Sequence, residues 1–404
     1  MPVDARPDAA ENPYLPPFEP AEFDRRIATV RRRMAERGID LLVIADPANM
    51  NYLTGYDGWS FYVHQVVVLH ARDDTPLWIG RHQDAAGARA TTRLPDAAII
   101  GYPDPYVQSA ERHPMDFVAA RLAERGWNHG TIGVEADAYY YTAAADAALR
   151  KGLPDAAIVD AGGLVNRVRA VKSPAEIGLM RTAARIAEAA MATAYDAMAP
   201  GVRQCDVVAA IQATQIRGLP EAGGDYPAIM PLLPTGRYSG AAHLTWTDRP
   251  FVAGEATVVE LAGCRRRYHC PLARTIHLGE PERKWRDLAA VVVEGVALAI
   301  DAARPGNTAE DVEAAWRRAL AKAGLEKESR IGYAVGLNYP PDWGEHTISL
   351  RAGDTTVLEP GMTFHLIPAM WLDGWGLEIT ETILIGETGA EPLCAFERDL
   401  LVKA

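Results

Sequence analysis

The chain has 404 residues, of which 49% are hydrophobic and 23% charged, an ordinary composition for a globular protein of one large or two smaller domains. Its formal net charge of −12 argues against nucleic acid as a partner. No apolar run reaches the roughly 18 residues that a membrane span needs, and four cysteines do not suggest a disulfide framework. We therefore expect a cytoplasmic protein without a membrane segment.

The first part of the chain predicts an α/β domain. Residues 1–20 are polar and proline-rich and lack the features of a secretory signal, and we interpret them as an extended arm. The domain itself is predicted over residues 21–172. It begins with a helical spacing of apolar residues, and short apolar runs then alternate with helical stretches, at residues 39–45, 66–69, 77–80, 131–137 and 157–163. No glycine loop of the phosphate-binding type is present.

A helix start marks the boundary to a second domain, predicted over residues 173–404. In KSPAEI, Ser173 can cap a helix, Pro174 suits its first turn, and Glu176 completes a capping box. Long amphipathic stretches then alternate with strand-like runs. Helices are predicted at residues 174–198, 282–303 and 309–324, and strands at 256–263, 274–279, 362–367 and 377–386. This order indicates an α+β domain with a mostly antiparallel curved sheet.

Seven motifs in the second domain occur in the order and spacing of one known family: KSPAEI, AHLTW, VVELAG, PLART, GYAVG, LEPGMTF and EITETILIGETG. Together they resemble the pita-bread hydrolases, which include methionine aminopeptidase, prolidase, Xaa-Pro aminopeptidase and creatinase. NMNYLTGY at residues 49–56 is similar to the first domain of the prolidase and creatinase branch. The resemblance implies a creatinase/prolidase-like N-terminal α/β domain followed by a pita-bread α+β catalytic domain.

The resemblance also implies a reaction without a metal cofactor. Peptidases of this family hold two metals with two Asp, one His and two Glu. The matching positions carry Glu260, Pro271, Tyr333, Ile367 and Thr380, and most of these residue types are poor ligands or none at all. Creatinase lacks its metals in the same way. Among metal-free members, ectoine hydrolases resemble this chain best, through GRYSGAAHLTWTD and GYAVGLNYPPDWGEHT, which implies opening of a cyclic amidine ring.

The catalytic pair is predicted to be Glu260 and His243. An amidinium carbon is already activated by a delocalised positive charge, whereas a neutral peptide carbonyl needs a metal or an oxyanion hole. Glu260 follows Val258 and Val259, so burial is expected to make it a nucleophile or water-positioning base. The alternative is a structural ion pair with Arg265 or Arg274. His243, in AHLTW, matches a functional family histidine and is expected to deliver a proton to the departing nitrogen; the alternative is a hydrogen-bonded core histidine.

Further residues are predicted to bind the substrate. Tyr333 and Thr380 stand at former ligand positions and are expected to line the same cavity, or else to fill space in it. Glu378 is expected to pair with the cationic ring, and His269 is a second candidate. A soft metal site from Cys264, His269, Cys270 and His277 is disfavoured, because strand alternation predicts both cysteines on one side and both histidines on the other.

An aromatic segment in the first domain, GYDGWSFYVHQ at residues 55–65, contains Trp59, Tyr62 and His64. In creatinase the corresponding segment enters the active site of the partner subunit. The resemblance therefore implies a homodimer with shared active sites, in which these side chains help to bind a small cationic or zwitterionic substrate by cation–π attraction. The alternative is packing in the core or at an interface.

Three other functions remain open at this point. The chain is compatible with a creatinase-like amidinohydrolase acting on another guanidino or amidino compound. It is also compatible with a metal-dependent Xaa-Pro peptidase, if the ligand positions are misaligned. The third alternative is a non-catalytic pita-bread module that binds proteins or peptides.

Overall fold

The computed structural model describes residues 12–72 and 75–404. The chain forms two compact units, the first ending at Arg169 and the second comprising Ala170–Ala404. Of the predicted arm, residues 1–11 lie outside the described residues, and residues 12–19 form turns and bends in which Phe18 is buried. Within the described ranges, no helix is both long and apolar enough to cross a membrane.

The first unit is a mixed six-stranded sheet with helices, which confirms the predicted α/β class. Its helices are α1 Pro20–Glu36, α2 Pro47–Thr54, α3 Ala85–Thr91, α4 Pro114–Glu124, α5 Ala143–Gly152 and α6 Leu164–Arg169. Its strands are β1 Leu41–Ile44, β2 Val66–His70, β3 Leu77–Arg81, β4 Ile99–Tyr102, β5 Gly130–Val134 and β6 Ala156–Asp160. The strand order is β4-β3-β2-β1-β5-β6, and β4 is the strand that the sequence pattern missed.

The second unit is an α+β arrangement, also as predicted. Its helices are α7 Pro174–Ala197, α8 Gln204–Arg217, α9 Arg283–Ala302 and α10 Ala309–Lys322. Its strands are β7 Ala256–Arg265, β8 Tyr268–Leu278, β9 Gly332–Val335, β10 Gly344–Ser349, β11 Thr363–Leu366, β12 Met370–Leu372, β13 Trp375–Leu377, β14 Glu381–Ile385, β15 Ala390–Pro392 and β16 Leu401–Lys403. They form a sheet β10-β9-β11-β14-β15, a sheet β16-β8-β7 and the hairpin β12-β13.

Helix α7 covers one face of the β7–β8 hairpin. The helix starts with the predicted capping box, in which the Glu176 carboxylate accepts from the Ser173 amide at 2.9 Å. Gly263 allows the close approach, since a Cβ there would lie 1.8 Å from the Ala183 carbonyl oxygen. Because side chains alternate across a strand, the residues that face away from α7 include Glu260. The helix thus leaves the Glu260 face available for a site.

The predicted strand at residues 377–386 is interrupted at residues 378–380, between β13 and β14. The interruption is held by bonds to β8: the Thr380 amide donates to the Ala273 carbonyl at 3.1 Å, and the Glu378 amide donates to the Thr275 hydroxyl at 2.8 Å. A fully buried Arg274–Glu381 ion pair of 2.7 Å lies beside it. Two predicted site residues, Glu378 and Thr380, therefore occupy an irregular connection that β8 fixes in place.

Candidate active site

Glu260 is a buried carboxylate without a bonded partner. It lies on β7 directly opposite Ala273 and is 7% exposed. Across the described residues, its carboxylate makes no hydrogen bond or ion pair. The two arginines considered as partners are engaged elsewhere: Arg274 pairs with Glu381, and Arg265 donates to the Gly223 carbonyl at 2.7 Å. The structural ion pair considered for Glu260 is therefore wrong.

Electrostatics connect Glu260 to a second carboxylate, Glu378. Burial, and after it the charge of Asp342, raises the pKa of Glu260 to about 7. Burial also raises the pKa of Glu378 well above its usual value; the Glu260 charge adds to this effect and Lys327 opposes it. The Glu378 Oε2 atom is buried without a hydrogen-bond partner in the structure. Burial and the repulsion between them thus disfavour the charged forms of these carboxylates, and a bound cation would stabilise those charged forms.

Lys327 and Asp342 belong to the same electrostatic neighbourhood and were not identified from the sequence. Lys327 donates to the Ala369 carbonyl, and burial lowers its pKa to about 8 against the opposing effect of Glu378. The pKa of Asp342 is lowered; burial acts against this, but a 2.8 Å hydrogen bond to His346 and the Gly344 amide favour the charged form. Asp342 lies in the GYAVGLNYPPDWGEHT motif, so the sequence could have identified it as a site residue. Lys327 follows α10 in a segment that matches none of the family motifs.

The hydroxyls of Tyr333 and Thr380 are joined through a buried histidine that sequence analysis missed. The Tyr333 hydroxyl lies 3.2 Å from Nδ1 of His365, and the Thr380 hydroxyl lies 2.9 Å from Nε2 of the same ring. Trp343 Nε1 donates to the Tyr333 oxygen at 2.8 Å. Burial lowers the pKa of His365 to about 3, so the ring is neutral at neutral pH. His365 thus brings the Tyr333 and Thr380 hydroxyls together, and their role in lining a substrate cavity stays a prediction.

The residues at the five family ligand positions do not fit a pair of metal ions. Pro271 and Ile367 carry no side-chain donor atom. The Tyr333 and Thr380 hydroxyls are used in the hydrogen bonds described above, and burial raises the pKa of Tyr333 well above its usual value, so it stays a neutral phenol. Glu260 alone offers a carboxylate. In the described part of the chain, no group of three or more His, Cys, Asp or Glu side chains is arranged to hold a metal ion.

His269 shares the Glu260 face of the hairpin. Its Nε2 accepts from the Ala228 amide at 2.8 Å, so the neutral ring carries its proton on Nδ1, which is buried without a hydrogen-bond partner in the structure. Burial lowers the pKa of this histidine to about 4, which keeps it neutral. His269 therefore presents a donor to the interior, and its role in binding stays a prediction.

The predicted separation of cysteines from histidines on this hairpin is wrong. Cys264 lies directly opposite His269 and shares its face, while Cys270 lies opposite Gly263 on the other face, with its sulfur 3.7 Å from that of Cys394. The two-residue turn at Arg266 and Arg267 reverses the chain, so alternation counted along one continuous strand does not apply across it. The corrected faces place Cys264 with His269 and His277 and put Cys270 on the opposite face.

His243 lies in the loop between the short 3₁₀ helix Gly236–Tyr238 and β7, with an exposed side chain. Its segment is linked to Glu260 through the backbone. Leu232 pairs with Glu260 by amide bonds of 2.9 and 3.1 Å, and the next residue, Leu233, donates to the Leu244 carbonyl at 3.0 Å. The His243 segment is therefore the second backbone neighbour of β7, roughly 10 Å away at ordinary strand spacing. The structure shows no direct His243–Glu260 contact.

The aromatic segment lies in the first unit as a loop that ends where β2 begins. Trp59 and Tyr62 are 62% and 59% exposed. The rings of Trp59 and Phe61 contact each other at 4.8 Å, and His64 lies 4.5 Å from the ring of His113. Burial, followed by the neighbouring His113, lowers the pKa of His64. Two large exposed aromatic side chains on one loop are unusual for a solvent-facing surface, and their role in substrate binding stays a prediction.

Comparison with known proteins agrees with this architecture. Residues 26–171 match the creatinase/prolidase N-terminal domain, and residues 178–387 match metallopeptidase family M24. The ectoine hydrolase of Halomonas elongata is 48% identical over 394 residues, covering 96% of this chain and 98% of that protein. The Xaa-Pro dipeptidase of Pyrococcus furiosus is 24% identical and covers 93% and 99% of the two chains.

Solved structures show the same fold. The recombinant prolidase of Thermococcus sibiricus superposes with a TM-score of 0.81 at 17% identity, covering 94% of this chain and 99% of that one. The dipeptidase PepE of Mycobacterium ulcerans gives a TM-score of 0.77 at 24% identity, with 95% and 99% covered. The family match spans the unit that carries Glu260 and Glu378, and the chain belongs to metallopeptidase family M24, with a creatinase/prolidase N-terminal domain before its M24 domain.

Proposed function

We propose that this hydrolase opens the cyclic amidine ring of ectoine to an N-acetylated 2,4-diaminobutyrate, without a metal, in the cytoplasm. The observation that carries the proposal is the pair of buried carboxylates, Glu260 and Glu378, whose pKa values are raised by burial; Lys327 offsets this at Glu378, and no positive charge in the described part of the chain does so at Glu260. An amidinium ring supplies that charge. The 48% identity to an ectoine hydrolase over nearly the whole chain supports this choice of substrate.

The reaction needs an attack on the amidinium carbon and a proton for the leaving nitrogen. Glu260 either attacks this carbon, forming an ester that water then hydrolyses, or positions the water that attacks it. In both routes one ring C–N bond breaks and the freed nitrogen becomes an amine after receiving a proton. In the water route the water oxygen becomes the acetamide carbonyl oxygen; in the ester route it does so when water attacks the former amidinium carbon and releases the Glu260 carboxylate. We assign the delivery of that proton to His243 and the electrostatic clamp on the amidinium to Glu378.

The direct test is to incubate metal-stripped protein with ectoine and follow ring opening by NMR. Parallel samples with creatine and with an Xaa-Pro dipeptide separate the alternatives. Turnover of creatine but not ectoine would favour an amidinohydrolase, and dipeptide cleavage would favour a peptidase. No turnover of any of the three would favour a non-catalytic binding module.

Substrate binding is expected to strengthen as pH rises through about 7. The folded, substrate-free protein holds Glu260 with a pKa of about 7, so the carboxylate is protonated below that pH and cannot pair with a cation. KM for ectoine should therefore fall as pH rises through about 7 and become constant above it. Asp342→Asn removes the charge that, after burial, raises the pKa of Glu260, so the midpoint of the KM profile should move to lower pH. A KM that does not change between pH 5 and 8 would contradict this assignment.

Chelation is expected to leave activity unchanged. Four of the five positions that hold metal ligands in the peptidases carry Pro271, Tyr333, Ile367 and Thr380, none of which supplies a carboxylate or imidazole. The measurement is kcat before and after dialysis against a strong chelator, with metal content determined in each sample. Loss of activity that Mn²⁺, Co²⁺ or Zn²⁺ restores would refute the metal-free mechanism.

We also expect a homodimer whose active sites need both chains. The exposed aromatic loop with Trp59 and Tyr62 supports this expectation, because large exposed aromatic side chains commonly mark an interface. Light scattering coupled to size exclusion should give a dimer, and Trp59→Ala should weaken either dimerisation or ectoine binding. A fully active monomer would contradict shared active sites.

A further inference from the structure

His365 connects two hydroxyls at the centre of the second unit. The ring is 0% exposed on β11, with Nδ1 3.2 Å from the Tyr333 hydroxyl and Nε2 2.9 Å from the Thr380 hydroxyl. Tyr333 and His365 face each other directly in the β9–β11 register. Both ring nitrogens are therefore committed to the same hydrogen-bonded chain, and neither is available to another group.

Each end of this chain is fixed by a donor that cannot reverse. The Trp343 indole donates to the Tyr333 oxygen at 2.8 Å, and the Ala273 amide donates to the Thr380 oxygen at 2.8 Å. Indole and amide N–H groups only donate. Each hydroxyl oxygen thus accepts one hydrogen bond from outside before its contact with His365 is considered.

One proton of the Tyr333–His365–Thr380 chain has no acceptor within the chain. The two hydroxyls and a neutral imidazole carry three protons in all, while the two contacts with His365 use two. If the imidazole proton is on Nε2, it is donated to Thr380, Tyr333 donates to Nδ1, and the Thr380 proton is left free. If it is on Nδ1, the Tyr333 proton is left free. The tautomer of His365 therefore decides which of the two hydroxyls keeps a proton that it can donate to another group.

The chemistry of the two oxygens favours the first arrangement. An aliphatic hydroxyl has two full lone pairs, so Thr380 can accept from both Ala273 and His365 and still donate its proton. A phenol oxygen shares one lone pair with its ring, and Trp343 already uses the other, so Tyr333 is best satisfied by donating to His365. Thr380 is connected to Glu260 through β8, since Ala273, whose amide donates to the Thr380 oxygen, is directly opposite Glu260.

We propose that His365 is a positioning residue, held as the Nε2–H tautomer, which turns the Thr380 hydroxyl proton toward the reacting atoms beside Glu260. The catalytic consequence rests on the proposed ring opening. There, the oxygen that adds to the amidinium carbon becomes an amide carbonyl oxygen, and a preorganised donor stabilises the partial negative charge that this oxygen gains. Thr380 is the donor, and His365, with Tyr333 and Trp343 behind it, fixes its direction.

The tautomer can be observed without any activity measurement. Protein labelled with ¹⁵N-histidine should show, in long-range ¹H–¹⁵N correlation spectra at pH 7, a His365 signal with a protonated Nε2 and an unprotonated Nδ1; loss of the signal in His365→Asn assigns it. Thr380→Val removes the acceptor of Nε2–H and keeps the Tyr333 oxygen as an acceptor for Nδ1–H, so the same signal should change toward the Nδ1–H form. A wild-type signal of the Nδ1–H tautomer, or of the imidazolium, would overturn the proposal.

Activity then tests whether the donor matters. Thr380→Val keeps the shape and removes the hydroxyl, and we expect kcat for ectoine to fall by about 10²-fold with little change in KM, whereas Thr380→Ser should recover most of the rate. Thr382→Val is the matched control, because this buried threonine on β14 donates only to the Pro271 carbonyl. Normal kcat in Thr380→Val would sink the proposal. Failure of the wild type to open ectoine would refute the proposed function and leave the tautomer assignment to the spectrum.

Discussion

Glu260→Gln is expected to reduce kcat for ectoine ring opening by about 10³-fold or more. The substitution keeps the size of the side chain and removes the negative charge. Glu260 is a buried carboxylate that makes no hydrogen bond or ion pair in the described part of the chain, and it faces away from α7, so we assign to it the attack on the amidinium carbon or the activation of a water. The measurement is single-turnover NMR or a coupled assay at saturating ectoine.

The stability of the same variant separates chemistry from packing. The pKa of Glu260 in the folded protein is raised from 4.5 to about 7, so the folded state binds the proton more tightly than the unfolded state. The folded state therefore loses stability relative to the unfolded state as pH rises from about 4.5 to about 7, and the loss persists above pH 7. Glu260→Gln removes this loss. The melting temperature of the variant minus that of the wild type should therefore be larger at pH 8 than at pH 5.

Two outcomes would contradict the role of Glu260. If Glu260→Gln keeps near-normal kcat, the carboxylate is structural and the mechanism is wrong. If the variant is less stable than wild type at pH 8, its inactivity would report a damaged fold, and the pKa assignment would fail with it. Glu378→Gln is the comparison variant, because it removes the second buried carboxylate and should raise KM for ectoine more than it lowers kcat.

The sequence predicted the position of Glu260 well because its determinants are local. Val258 and Val259 precede it in an apolar run, and a run of this kind forms a buried strand whatever it pairs with. The capping box at Ser173 is also local and was predicted to the residue. The burial and raised pKa of Glu260 depend in addition on what packs over the face of the hairpin that points away from α7, which this local pattern does not specify.

What the sequence could not provide depends on contacts between distant segments. The alternation of LEITETILIG reads as one strand, yet residues 378–380 leave the sheet because Ala273 and Thr275 on β8 bind their backbone. In the sequence, His365 is a single polar residue within an apolar run, and nothing nearby indicates a function for it. Its importance comes from Tyr333, which lies 32 residues earlier in the chain, and from Thr380, 15 residues later. Neither partner can be assigned without the register between strands.

The hairpin that carries Glu260 shows the same limit in a simpler form. Counting alternate residues from Cys264 to Cys270 assumes one continuous strand, and the turn at Arg266 and Arg267 breaks that count. Both turn residues have positive φ, at 49° and 67°, a conformation that favours Gly, Asn or Asp. Because two arginines give no turn signal, the sequence offered no reason to reset the count.

His243→Ala is expected to lower kcat by about 10² to 10⁴-fold, as for removal of a general acid. The side chain is exposed on its loop, so it can exchange protons with solvent between turnovers, and its segment lies second to β7 in the hydrogen-bonded backbone array. Thr245→Ala is the matched control, since Thr245 is an exposed residue of the same loop. It should leave kcat close to wild type, which separates loss of the imidazole from disturbance of the loop.

The His243 variant also distinguishes the two routes available to Glu260. If Glu260 attacks directly, slow proton transfer to the departing nitrogen should hold the substrate on Glu260 as the adduct in which the ring C–N bond is still intact, visible as a mass increase on the β7 peptide after rapid acid quenching. If Glu260 instead positions water, no adduct forms in the variant even under single-turnover conditions. Normal kcat in His243→Ala would assign the proton donor elsewhere. His269 would then be the next residue to replace, because its Nδ1–H is buried on the same face of the hairpin as Glu260.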